Sequence, residues 1–215
     1  MRGRTRAFAA AAALSALAAL AACAGLPRGD RNGASTPPNG VVEPWLAEVQ
    51  FPAALERPPR ETETRIAEDV HALLHGDFDV YPTAARRLVK RGEVVVPYLG
   101  FVGAQELPAQ ARGGRIPIVL KPLLLEVPPD HVGIHLASAY RDVRAAAAVA
   151  AGERRITDHA PELVDLLDDP EVTVRRAAVT ALRRISNEFY GYRADDSALR
   201  RARPAAKWRA RWARG

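Results

Sequence analysis

The sequence predicts an all-α fold of stacked helix pairs, and three observations indicate it. From position 65 onward, apolar residues recur at intervals of three and four, which is the spacing of one helix face. One pattern of residues recurs 31 positions further along the chain, the length of a helix–turn–helix unit. Alanines fill the apolar stripe of both copies, and such small side chains let neighbouring helices approach closely. Together these features predict an α-solenoid, in which each helix pair buries its stripe against the next pair.

The first 22 residues have the composition of a secretory signal. Arg2, Arg4 and Arg6 precede residues 7–22, which consist of alanine, leucine, serine and one phenylalanine and carry no charge. A cationic start followed by a short apolar run is typical of a signal peptide. The run is also shorter than a helix that spans a membrane.

This run ends in Leu20, Ala21, Ala22 and Cys23, and Cys23 is the only cysteine in the chain. The four residues resemble the lipobox of bacterial lipoproteins, which implies cleavage before Cys23 and acylation of that cysteine. The next residue is Ala24 rather than aspartate, and the resemblance to sorted lipoproteins then implies the outer membrane of a diderm host, with the domain facing the periplasm. The alternative is an ordinary signal peptide with a cysteine near its cleavage site.

Residues 23–42 are rich in glycine, proline and small polar residues and show no hydrophobic period. We interpret them as a flexible tether whose root-mean-square reach is roughly 25 Å. The repeat domain is expected at 43–190. It would start with a short helix at 43–50 and a proline-rich loop at 52–64.

The next elements follow from the apolar spacing and from the breakers glycine and proline. A helix is expected from position 65 to Gly76, and a second from Pro82 to Gly92. We prefer a short helix to a strand at 94–102, because helices flank it. A loop follows, and residues 116–127 are apolar enough to form the buried centre of the domain.

The repeat itself lies in the second half of the chain. Its first copy comprises Leu136, Val143, Arg144, Ala146, Ala147 and Ala150, and its second comprises Leu167, Val174, Arg175, Ala177, Ala178 and Ala181. A short apolar helix is expected before each copy, at 132–136 and at 161–167. Each unit is therefore predicted to be a helix–turn–helix.

Residues 161–182 resemble a bacterial HEAT repeat of the phycobilisome-lyase-like type. The apolar first helix ends in the turn Asp168-Asp169, and the second helix opens with Val174-Arg175. The copy at 130–152 keeps Val143-Arg144, and a weaker unit is expected at 82–103. The resemblance implies a stack of antiparallel helix pairs with a concave face that binds another protein.

The carboxy-terminal residues 191–215 are predicted to form a basic helix that contains Trp208 and Trp212. These tryptophans share one face with Ala205, on a helix expected to begin near Pro204. We favour the interpretation that both tryptophans close the last repeat, because the end of a solenoid otherwise exposes an apolar face. The alternative is a helix that lies on anionic lipid headgroups.

Two pairs of histidines have the spacing that places both rings on one helix face. These pairs are His71 with His75 and His131 with His135. Two such imidazoles can bind a metal ion, but neither pair has an obvious third ligand. We therefore expect partly exposed packing residues and no metal.

Aspartates and arginines of the repeat have two interpretations each. Asp168 and Asp169 have the composition of a catalytic carboxylate pair, but their place in the repeat turn favours capping of the next helix. Arg144 and Arg175 belong to a series that could bind phosphate. Their common repeat position favours an ion pair between repeats or hydrogen bonds to turn carbonyls.

The charge is distributed unevenly along the chain. Loss of three arginines with residues 1–22 lowers the net charge from +6 to 6 − 3 = +3. Residues 43–79 hold nine acids and three arginines, whereas residues 193–215 hold eight bases and two aspartates. Such a chain has a basic end rather than a uniformly basic surface.

Motifs for common catalytic and nucleotide-binding chemistry, GxSxG, GxGxxG and the P-loop, do not occur in the sequence. We expect no enzyme activity, no cofactor and no nucleic acid. The prediction is a lipid-anchored scaffold that binds a protein partner at the cell envelope. The alternatives are a lyase-like or metal-binding accessory protein and a self-associating structural lipoprotein, and the oligomeric state is open.

Overall fold

The computed structural model describes residues 43–105 and 114–213, so the predicted signal peptide and tether lie outside the described residues. The chain divides into two compact units, Met1–Val49 and Gln50–Gly215. The described part of the first unit contains one 3-10 turn, Pro44–Glu48, with Trp45 and Leu46 buried. The helix expected at 43–50 is therefore a single turn.

The second unit is built from α-helices, and no β-strand occurs in residues 50–105 and 114–213. The prediction of an all-α fold is confirmed. The helices are α1 (Arg60–His75), α2 (Tyr81–Arg91), α3 (Val96–Ala104), α4 (Ile116–Glu126), α5 (Pro129–Leu136), α6 (Arg141–Glu153), α7 (Ala160–Asp165), α8 (Val172–Ser186) and α9 (Ala198–Arg211). Short 3-10 turns at Gly92–Val95 and Leu166–Asp168 precede α3 and extend α7.

The first two helices begin and end where local chemistry dictates. Helix α1 starts directly after Pro59 and carries Glu61 and Glu63 in its first turn, where the helix dipole favours acids. The loop expected at 52–64 was therefore too long at its end. Helix α2 has Pro82 in its first turn and ends at Gly92, whose φ of +76° is accessible to glycine without steric cost.

The helices pack as consecutive pairs. Helix α1 packs against α2, α3 against α4, α5 against α6, and α7 against α8. The second helices also contact one another in chain order, from α2 through α4 and α6 to α8, and α9 packs against α7. The weak unit expected at 82–103 was wrong, because α2 completes the pair begun by α1 and α3 begins a new pair.

The closest seam in the stack joins α6 and α8. Ala147, Ala150 and Ala151 on α6 and Ala178 and Ala181 on α8 are all buried. At Gly152, a Cβ atom would lie 2.6 Å from Cα of Ala181, so the two backbones approach as closely as glycine permits. The alanine stripes of the two copies thus meet each other, as the repeat predicted.

Helices α4 and α9 differ in part from the sequence predictions. Helix α4 buries most of its apolar residues, but Ile118 is 55% exposed, so residues 116–127 are only partly enclosed. Helix α9 begins after Ser197, whose side chain accepts a hydrogen bond from the amide of Arg200, and Pro204 lies inside it. The start expected near Pro204 was wrong, because a proline removes only one helical hydrogen bond.

None of the helices in residues 43–105 and 114–213 has the length and apolar character needed to cross a membrane.

Candidate functional site

The predicted lipidation site, Leu20, Ala21, Ala22 and Cys23, lies outside the described residues. The other predicted site residues lie at the repeat turns, in the first turns of α6 and α8, and at α9.

Arg144 links the first copy of the repeat to the second. Its Nε and Nη2 atoms donate to the two carboxylate oxygens of Asp169 at 2.8 and 3.2 Å. Its Nη1 atom donates to the carbonyls of Ser138 and Ala139 at 2.9 and 3.0 Å. One guanidinium therefore joins its own turn to the turn of the next pair, through the bidentate geometry that arginine favours.

Arg175 makes the equivalent contacts 31 residues later. Its Nη1 atom donates to the carbonyls of Asp169 and Pro170, both at 2.7 Å. Its Nε atom donates to the carbonyl of Ala194 at 2.9 Å, in the loop that joins α8 to α9. The two arginines hold equivalent turns, and only the last acceptor differs.

The other residues of the repeat signature have distinct positions. Val143 and Val174 are fully buried beneath the arginines. Asp169 accepts a hydrogen bond from the amide of Glu171 at 2.9 Å, just before α8 begins, in addition to its pair with Arg144. Neither aspartate caps α8 as expected, because no side chain accepts a hydrogen bond from its first-turn amides. Asp168 pairs instead with Arg209 on α9.

The two tryptophans of α9 have different surroundings. Trp208 is fully buried and its ring packs edge-on against Tyr190, with centroids 4.6 Å apart. Trp212 is half-buried, and the guanidinium of Arg211 lies 4.6 Å from its ring centroid. Trp208 therefore occupies the end of the stack, the position that the capping interpretation assigns to it.

The outer surface of the stack, formed by α6 and α8, repeats in register. On α6 it presents Asp142, Ala145, Val149 and Glu153, and on α8 it presents Thr173, Arg176, Thr180 and Arg184. Each α8 residue stands 31 positions after its α6 counterpart. The α8 side chains are exposed, whereas those of Ala145 and Val149 are partly covered, so α6 forms a shallow apolar strip with charged ends.

An open pocket of about 370 Å³ lies at one end of this surface. It is lined by Gly152, Glu153, Arg155 and Arg184. Glu153 pairs there with Lys121 at 3.1 Å and with Arg184 at 3.6 Å, which joins α4, α6 and α8. The pocket shares the face formed by the second helices.

A glutamate that the sequence did not flag joins the second pair of histidines. Glu93 lies 2.8 Å from Nδ1 of His131 and 2.7 Å from Nε2 of His135. Its hydrogen bond and charge raise the pKa of His131, whereas burial lowers the pKa of His135. His135 is 1% exposed, so the expectation of a partly exposed residue was wrong there.

The first pair of histidines makes a ring contact. The centroids of His71 and His75 are 4.7 Å apart, and burial lowers the pKa of His75. Within residues 43–105 and 114–213, no group of three or more histidine, cysteine or acidic side chains is arranged to hold a metal ion.

The comparisons with known proteins bear on the carboxy-terminal half. Residues 130–214 match the family model described as HEAT repeats. The match covers 85 of the 215 residues and spans α5 to α9. Comparisons with curated proteins and with solved structures found no match. The HEAT-repeat segment includes both arginines that join the turns, the α6–α8 surface and the terminal helix, and repeats of this kind indicate a scaffold for protein interactions.

Sequence reasoning missed two residues that organise the first half of the domain. Arg115 donates through Nη1 to the carbonyls of Leu73, Leu74 and Gly76 at 2.9–3.0 Å. Glu93 bridges the two histidines of α5. Both partners lie about 40 residues away in sequence, and no local spacing indicates such contacts.

Proposed function

We propose that this protein is a lipid-anchored scaffold that binds a protein partner on the surface formed by α6 and α8, without catalysis of its own. The observation that carries the proposal is the pair of rows in register, partly covered on α6 and exposed on α8, within the segment that matches HEAT repeats. A stack of helices is already ordered before a partner arrives, so little conformational entropy is lost on binding. The partly covered Ala145 and Val149 offer apolar contact, and the charged residues around them offer orientation.

The proposed location is the cell envelope, with acylation at Cys23 and the domain facing the periplasm. The supporting features are the cationic start, the uncharged run 7–22 and the four residues that resemble a lipobox. The tether of residues 23–42 would let the domain move clear of the lipid headgroups.

Site-specific photocrosslinking in an intact host tests the binding surface. The photoreactive residue replaces Val149 or Thr180 on the proposed surface, and Glu68, an exposed residue of α1, serves as the control position. We expect the same crosslinked partner from the first two positions and none from the third. Equal labelling from all three positions would refute the assignment, and a crosslink to a second copy of this chain would favour self-association.

The anchor is tested separately by replacing Cys23 with serine. We expect the Cys23→Ser variant to remain uncleaved at this site and to incorporate no fatty acid. Globomycin, which blocks the lipoprotein signal peptidase, should leave the natural chain at its precursor size. Normal cleavage in its presence would show an ordinary signal peptide.

A further inference from the structure

Helix α9 has two faces of different character. Ala205 and Trp208 lie on the buried face, and α9 packs against α7. Arg200, Arg203 and Lys207 lie on the opposite face, because their positions fall within about 60° of one another at 100° per residue. All three are exposed, and Leu199 beside them is 87% exposed.

Some cations of α9 pair with acids or bond to carbonyls of the domain, and the others, on a different face, do not. Arg209 pairs with Asp168, Arg211 pairs with Glu188 at 3.1 Å, and Arg201 donates to the carbonyl of Asp196. By contrast, no acid among residues 43–105 and 114–213 pairs with Arg200, Arg203 or Lys207. The face that points away from the stack is therefore uncompensated positive charge.

This face differs from an ordinary solvated helix surface. The sequence of α9, ALRRARPAAKWRAR, contains six basic residues and no acid. Helix α1 alternates acids with arginines and forms the pair Arg65–Glu61 within itself, which is the pattern of a helix that needs only solubility. A cluster of unpaired cations on one helix face is the kind of charge that an anionic lipid surface attracts.

We propose that the basic face of α9, formed by Leu199, Arg200, Arg203 and Lys207, lies on the anionic headgroups of a lipid bilayer. The occupant follows from charge complementarity and from the proposed lipid anchor, on which the biological setting of this inference rests. A tethered domain stays near the bilayer, so a modest surface affinity is enough to orient it. Trp208 takes no part, since it is buried in the stack.

The expected strength follows from the charge. Each lysine or arginine near an anionic surface contributes about fivefold to partitioning, so three contribute about 100-fold. The attraction should weaken as salt rises, because the charges act over a Debye length. It should also be absent on neutral lipid.

Vesicle sedimentation with the unacylated chain 23–215, which keeps every described residue, tests the proposal. The probes are phosphatidylcholine vesicles with and without phosphatidylglycerol, and the cysteine is kept reduced. We expect binding only to the anionic vesicles. The triple variant Arg200→Gln, Arg203→Gln, Lys207→Gln should bind about 100-fold more weakly. The control Arg60→Gln, Arg86→Gln, Lys90→Gln removes three exposed cations from α1 and α2 and should bind within a few-fold of the natural chain.

Three outcomes would overturn the inference. They are no binding of the natural chain to anionic vesicles, equal loss in both triple variants, and retention on immobilised polyglutamate without vesicle binding. The last outcome would assign the face to an acidic protein. Circular dichroism of both variants shows whether the fold is intact. The acyl group is absent from the assay, so failure here leaves the Cys23 test unaffected, and failure of that test leaves this result unaffected.

Discussion

The seam between α6 and α8 allows a quantitative test of the stacking. Replacing Gly152 with alanine adds one methyl group, whose carbon would lie 2.6 Å from Cα and 2.8 Å from Cβ of Ala181. Carbon atoms in contact are normally about 3.5–4.0 Å apart, so the helices must separate by about 1 Å. Overpacking of this kind costs about 1–3 kcal/mol.

The same substitution also raises the intrinsic stability of the helix, and this gain must be separated from the packing cost. Alanine is more favourable than glycine in a helix by about 1 kcal/mol. Gly114 supplies the matched control, because it precedes α4 in a helical turn and a Cβ there meets nothing within 4 Å. The difference in unfolding free energy between Gly152→Ala and Gly114→Ala therefore reports mainly the packing cost.

Thermal unfolding followed by circular dichroism measures this difference. For a domain of this size, 1–3 kcal/mol corresponds to about 2–12 °C in the unfolding midpoint. We expect Gly114→Ala to melt at or above the natural chain and Gly152→Ala to melt below Gly114→Ala by that margin. Equal midpoints for the two variants would refute close packing at this seam.

Three further predictions concern the repeat turns, the end of the stack and the histidines. Arg144→Ala should lower the unfolding free energy by about 3 kcal/mol, since it leaves the buried Asp169 carboxylate without its cation. The double variant Arg144→Ala, Asp169→Ala should lose less unfolding free energy than the two single variants together. Additive losses in this double-mutant cycle would contradict the ion pair. Trp208→Ala should lower the unfolding free energy by about 3–5 kcal/mol, whereas Trp212→Ala should lower it much less. Similar denaturation midpoints for the two variants would argue against Trp208 as the residue that closes the last repeat. For the histidines, burial lowers the pKa of His135, so stability is lost as the pH falls below 6.5. Glu93 raises the pKa of His131, so stability is gained as the pH falls toward 6.5 from above and is fully present below 6.5. Denaturant unfolding on both sides of pH 6.5 should therefore show a smaller loss below 6.5 for His135→Asn and a smaller gain above 6.5 for His131→Asn, and unchanged pH profiles in both variants would disprove these effects.

The part of the fold that the sequence predicted best is the part where contacts are local or periodic. Helices α5 to α8 follow from the 31-residue offset, because equivalent residues in two copies occupy equivalent positions. Val143 and Val174 are both buried, and Arg144 and Arg175 both hold their turns. The repeat encodes these contacts twice, which makes the pattern visible.

Pairing of the earlier helices was not predictable in the same way. Helices α2 and α3 are adjacent in sequence and both apolar, and a weak repeat signature does not tell which helix opens a pair. Because a long connection separates α3 from α4, the sequence does not indicate that these two helices form a pair. Glu93 shows the same limit, since its carboxylate reaches histidines 38 and 42 residues away.

The beginning of α9 differs from the prediction for another reason. Pro204 is a typical start signal, whereas Ser197 caps the helix seven residues earlier. A proline within a helix removes one amide donor, and an exposed carbonyl on the solvent side can bond to water instead. Position in the tertiary structure decides that outcome, and single-residue propensity does not contain it.

Arg144 and Arg175 occupy equivalent positions but bond to different acceptors, Asp169 and Ala194, and this difference determines where a repeat could be added. Arg144 bonds to a carboxylate on the following helix pair. Another unit of 31 residues inserted between the two copies would therefore bring both the arginine donor and the aspartate acceptor. Arg175, by contrast, already has its acceptor in the carbonyl of Ala194, in the loop before α9. An inserted unit would therefore keep the arginine–aspartate contact, whereas a unit added directly after α8 would have to displace the contact with Ala194.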